Sequence, residues 1–162
     1  MSQGNQILER IAEIQGTIML AGGYPAGSVQ MAEPYLPSDI SSAVAPFFLN
    51  AVRGGDTNFM ATGGLQFVDT KYEMTLAVQR KEANANMRDV NKETMRWRDV
   101  VFSTFAQHIR LSNSSGVQDL TFILDASIKR WDVIELVYGK TSYIALTFEL
   151  QVREAFPLTI TQ

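Results

Sequence analysis

The chain has 162 residues, 46% hydrophobic and 19% charged: enough apolar material for one domain with a real core, and far from a disordered composition. A net charge of −3 and a pI near 5.1 argue against a free-standing nucleic-acid binder, which needs a net basic face to neutralise phosphates. With no cysteine and one histidine, disulfide scaffolds, thiolate zinc sites, thiol nucleophiles and multi-histidine metal centres are excluded.

The N-terminus lacks the basic region of a signal peptide, and no stretch approaches the roughly 18 apolar residues of a membrane span. The expectation is therefore no membrane partner and a protein that works in a cytosol or in a particle assembled there. Ile7, Leu8, Ile11, Ile14 and Ile18 recur at helical spacing, with Glu9, Arg10 and Glu13 on the other side. This spacing predicts an amphipathic helix over residues 5–20, stopped by Gly22 and Gly23. Residues 24–46 hold Pro25, Pro34, Pro37 and Pro46, which forbid a long helix and predict an extended segment. Tyr24, Val29, Met31, Tyr35, Leu36 and Ile40 make that segment too apolar for a free linker, so it is expected to lie along the domain or to reach a neighbouring subunit.

Residues 46–52, PFFLNAV, fit a strand. Residues 53–65, RGGDTNFMATGGL, place four glycines around a polar centre and predict a mobile hairpin or projecting loop. Neither the Lys-Ser/Thr ending of a phosphate loop nor the three-glycine dinucleotide fingerprint is present there. Tyr72, Met74, Leu76 and Val78 alternate with polar or small residues, giving a strand with one apolar face. A polar loop over 81–89 precedes a helix capped by Asn91 and running to Ile109, with Thr94, Trp97, Val101, Thr104, Phe105 and His108 inward. Beyond the turn signal SNSSG at 112–116, strands are expected at 120–128, 131–138 and 142–154, the last two joined by Gly139-Lys140, as an antiparallel meander. The expected fold is α+β: one domain over 1–162, mainly antiparallel β-sheet packed against one central helix, with an additional N-terminal helix.

Chemistry is sparse in this pattern. His108 falls on the apolar stripe of the central helix, with no nucleophile motif beside it, and reads as structural. Asp125, Asp132 and Glu135 are expected on neighbouring strands, where their alternation with core residues reads as a solvated face rather than a catalytic pair. Residues 80–98 contain six basic and three acidic side chains, a local +3 that leaves −6 for the remainder. Helical pairing of those charges is one reading; complementary charge between identical subunits is another. The sequence assigns no catalytic residue, no cofactor and no metal ligand, and the expectation is a protein that is not an enzyme.

Four stretches carry a resemblance: YPAGSVQMAEPYLPSDISSAV at 24–44, YEMTLAVQRK at 72–81, MRWRDVVFSTFAQHI at 95–109 and YIALTFELQVRE at 143–154. In order and texture the chain resembles the tail terminator proteins of long-tailed bacteriophages, over most of its length. The resemblance implies a structural virion protein assembled in the host cytoplasm. It would form a homo-oligomeric ring, a hexamer, on the head-proximal end of the tail tube. There it would end tube polymerisation, offer a docking surface to the head–tail connector protein, and let DNA pass transiently through its hole. Within that reading, exposure and polarity assign tube or connector contact to Arg53, Asp56, Asn58, Phe59 and Met60 of the 53–65 loop and to Arg80, Lys81 and Arg88 around the 81–90 loop. Lateral contact is assigned to Tyr24, Met31, Tyr35 and Leu36. The competing readings are a head–tail connector, stopper or other neck protein, a small hydrolase, and a monomeric ligand-binding module with an apolar pocket.

Overall fold

The Ser2 hydroxyl oxygen accepts from the Asn5 N–H at 3.1 Å and so caps the first helix, α1, Gln3–Gly16. The computed structural model describes residues 2–23, 26–37, 43–60 and 65–157. Ile7, Leu8, Ile11 and Ile14 are the buried stripe of α1, as their spacing predicts. The helix stops before residue 20. Gly16 is a poor helix former, and both the N–H and the hydroxyl of Thr17 donate back to the Ile14 carbonyl. Ile18 and Leu20 are buried instead from irregular backbone, where the Leu20 N–H donates to the Gly27 carbonyl at 2.6 Å.

Five strands follow: β1 Met31–Ala32, β2 Phe47–Met60, β3 Leu65–Arg80, β4 Ile123–Tyr138 and β5 Thr141–Pro157. They form one sheet in the order β1-β2-β3-β5-β4, antiparallel except for the short β1–β2 pair. The second helix, α2, is Met87–Gln107, followed by a 3-10 turn at Ile109–Leu111. Asn86 rather than Asn91 caps α2, its side-chain oxygen accepting from the Arg88 N–H at 3.0 Å. The helix therefore starts earlier than expected, and Val90 joins Thr94, Trp97, Val101 and Phe105 on its buried stripe.

Two further expectations are corrected. Of the two alternatives for 53–65 the hairpin holds and the projecting loop does not: residues 53–60 are the second half of β2, paired with β3 through to Met60 opposite Leu65. Here the glycines make a bulge, with the register shifting between Val52 and Gly55. Gly54 has φ +88°, and a Cβ on Gly55 would collide with the Asp69 carbonyl. Likewise, the runs at 120–128 and 131–138 are one strand rather than two. The polar pair Lys129-Arg130 is carried by a bulge between Ile128 and Arg130, so the meander reduces to a β4–β5 hairpin.

The sheet has two unlike faces. One lies under both helices, where Phe48, Tyr72, Met74, Leu76, Phe148 and Leu150 pack against the α1 and α2 stripes. The other face has a small apolar cluster at one end, Ala45, Phe47, Ala77 and Tyr143, with the Phe47 and Tyr143 rings edge-on at 5.2 Å. Polar clamps fix α1 in place. The Gln15 and Asn50 side-chain amides bond reciprocally at 2.7 and 2.8 Å, and Asn50 also donates to the Glu33 carbonyl at 2.9 Å, joining helix, connector and β2. Arg10 donates to both oxygens of Asp119 at 2.7 and 2.8 Å and to the Leu111 carbonyl at 2.9 Å, tying α1 to the segment before β4.

Candidate functional site

A strand of sixteen residues such as β3 spans roughly 50 Å, so the sheet has two well-separated ends as well as two edges. Chain direction puts the β2–β3 connection at one end. The loop 81–86, the start of α2 and the Gly139-Lys140 turn share the other, where Arg80 lies opposite Tyr143 and the Lys81 N–H donates to the Ser142 carbonyl at 2.8 Å.

Arg53, midway along the ladder with β3, and Asp56, nearer the first end, are exposed. Arg53 is not free: its guanidinium donates twice to Glu73, at 2.7 and 2.9 Å, and holds that carboxyl below the usual range. Asp56 lies opposite Asp69 in the ladder, and Asp69 is in turn gripped by Arg153 at 2.8 and 2.9 Å, which lowers its pKa. Asn58, Phe59 and Met60 belong to β2, opposite Phe67, Gln66 and Leu65. At the second end Arg80, Lys81 and Arg88 are all exposed, and Lys81 reaches Glu135 at 3.2 Å. Glu82, Asp89 and Glu93 line a cavity of about 280 Å³ beside them. The basic excess of residues 80–98 is thus dispersed: Arg98 lies over Trp131, Lys81 pairs with Glu135, and Arg96 pairs with Glu93 at 3.0 Å.

The lateral candidates separate. Met31 is half-buried, opposite Phe47 and packed on the small outer cluster, so it faces inward. Tyr35 and Leu36 are 50% and 61% exposed and, with Leu8, Asn50, Val52 and Arg53 among others, line a groove of about 400 Å³ between α1 and β2, so the tube-or-connector candidate Arg53 shares this side surface. Tyr24 lies outside the described residues.

The residues weighed for catalysis do not converge. His108 caps the end of α2, half-buried, with ring Nδ1 2.9 Å from the Ser112 carbonyl oxygen, a structural tether. Asp125, Asp132 and Glu135 are corrected from neighbouring strands to the single strand β4. Asp125 and Asp132 are separated by roughly 20 Å of strand. Among the described residues, no group of three or more His, Asp or Glu side chains gathers to hold a metal.

Sequence reading missed two features. Glu154 is 3% exposed, accepts from Gln3 at 3.2 Å, and has its pKa raised by burial. On the outer edge, β4 exposes Trp131, Val133 and Val137, with Arg98 of α2 4.9 Å above the Trp131 ring. Their alternation matches that of a core face, so periodicity alone could not show that they stay 39–62% exposed. The chain matches no protein-family model and no curated protein sequence.

Proposed function

We propose that this protein is a ring-forming structural component of a phage tail, a tail terminator that caps the tube and meets the head–tail connector. One observation carries the reading: Asp56 and the end of β2 lie toward one end of one long sheet and Arg80, Lys81 and Arg88 lie at the other, while Tyr35 and Leu36, with the mid-strand Arg53, lie along its side. A terminator needs that division. One axial face must match a tube subunit, the other must match something different, and the sides must match copies of the same chain so that rotation closes the ring. Asp56 and the end of β2 offer one axial surface; Arg80, Lys81 and Arg88, beside the acidic hollow, offer a chemically different one.

The test is absolute mass in solution by light scattering after size exclusion, with negative-stain images of the peak, repeated with tail tubes added. Rings, either free or formed on tube ends, are the expected result. A strict monomer that ignores both tubes and connectors refutes the reading.

A further inference from the structure

Side chains of β3 alternate between the two faces of the sheet as far as Ala77, which lies opposite Ala145 and belongs to the small outer cluster. There β3 carries one extra residue, Val78, and the next pair in the ladder is Gln79 with Ile144. A bulge re-aims the side chains at its site. A regular strand would send Val78 and Gln79 to opposite faces. Instead Val78 is fully buried in the core under the helices, and Gln79, 7% exposed, lines the 280 Å³ hollow on that same side, beneath the loop 81–86 and the start of α2. Among the described residues the Gln79 amide has no hydrogen-bond partner, and it is not sealed in the interior, where the unpartnered side-chain atoms are Trp97 Nε1 and Ser127 Oγ. It opens on the hollow. A buried amide without a partner is unfavourable in the free chain, so a ligand that bonds it relieves that penalty.

We propose that this hollow binds the guanidinium of an arginine side chain, supplied by the protein that meets this end of the sheet. The walls specify the occupant. Glu82 and Asp89 are exposed and have no ion pair among the described residues, while Glu93, its side chain 14% exposed, pairs with Arg96. No basic side chain is among the described residues that line the hollow, so it repels anions and has room for a cation. The positive end of α2 opposes a cation, but Asn86 and Asp89 in its first turn offset it. A metal ion is a poor fit, because among the described residues no three acidic or histidine side chains close in to hold one. Ala85 and Val90 add an apolar wall for an aliphatic stem, and the volume falls just below the about 300 Å³ at which small-molecule pockets begin, which suits one side chain. With the Asn86 oxygen taken by the Arg88 N–H, the buried acceptor left is the Gln79 amide oxygen. A guanidinium can bond that oxygen and a carboxylate together from one planar fork, and it is less strongly hydrated than an ammonium. The inference deepens the proposed function by naming what this axial surface recognises, and rests on it only for the partner; the site itself belongs to a single chain.

The experiment titrates the full, nitrogen-15-labelled chain with N-acetyl-arginine methylamide and follows the backbone amide signals of Glu82, Asp89 and Glu93 and the side-chain amide of Gln79 by NMR. A saturable shift of these signals is expected. The citrulline analogue, which keeps the shape and lacks the charge, should bind at least about tenfold more weakly. Glu82→Gln, an exposed change, should weaken the arginine titration as well. Gln79→Leu should weaken it about tenfold or more without lowering the thermal midpoint, because the amide it removes bonds nothing in the fold. A large fall in that midpoint overturns the proposal, since the amide is then a packing element with a partner of its own. So does the lack of a saturable shift up to the solubility of the probe, equal binding of the citrulline or lysine analogue, or saturation of the same signals by calcium instead. The probe requires no ring, so binding in a chain that never assembles keeps the site and removes only the tail as the source of the partner.

Discussion

Replacing Asn50 with alanine tests the clamp that joins α1, the connector and β2. Gln15 and Asn50 are 0% and 3% exposed, and the substitution removes three hydrogen bonds: two to Gln15 and one to the Glu33 carbonyl. Both polar ends of the Gln15 side chain then lose their partner in a buried site, at about 1–3 kcal/mol for each stranded group. Partial relaxation toward the adjacent groove reduces the sum, so the expected loss is ~2–4 kcal/mol. With a urea dependence of about 1–3 kcal/mol per molar, the unfolding midpoint should fall by on the order of 1–2 M. A cycle with Gln15→Leu, Asn50→Leu and the double variant separates hydrogen bonding from packing. Each single change strands one amide, whereas the double change strands none, so the double variant should lose at least ~2 kcal/mol less than the sum of the singles. Additive losses, or an Asn50→Ala cost below about 0.5 kcal/mol, would refute the claim that this pair holds α1 on the sheet.

Gly55→Ala should cost at least about 1–3 kcal/mol in the same denaturation assay, because the new methyl meets the Asp69 carbonyl and must undo the bulge; a neutral effect would show that the bulge is dispensable. Trp97, wholly buried on α2, should lose ~3–5 kcal/mol as alanine and markedly less as phenylalanine, since its indole N–H has no partner among the described residues; equal costs for the two variants would contradict this. Two carboxyls should give pH dependences of opposite sign, read as wild-type minus variant stability. Burial raises the Glu154 pKa, so its contribution is complete below the unfolded value near ~4.3 and is lost as pH rises through the folded value; Glu154→Gln should gain on wild type between acid and neutral pH. The Arg10 hydrogen bonds lower Asp119 to about 2, so its contribution is present above ~3.9 and disappears as pH falls through about 2; Asp119→Asn should lose to wild type at pH 7 and match it in strong acid. The same sign for both carboxyls would contradict these assignments.

Local period was readable wherever one element buries one face. Trp97, Val101 and Phe105 announce α2, and Leu146, Phe148, Leu150 and Val152 announce β5, because each set packs on one continuous core. Signals that two structures share were misread. Paired glycines mark loops and bulges alike, and only the ladder on β3 separates them at Gly54-Gly55. The Lys129-Arg130 doublet breaks a period of two just as a turn would, although a bulge absorbs it. Cover is harder still, being a property of other segments. Val133 and Leu146 are opposite one another in the ladder, yet Leu146 is fully buried while Val133 is 48% exposed, since the helix layer covers β5 and the first half of β4 but leaves Val133 open. Tyr35 and Leu36 were readable as surface anchors, but the groove they line required the distant Leu8 and Val52.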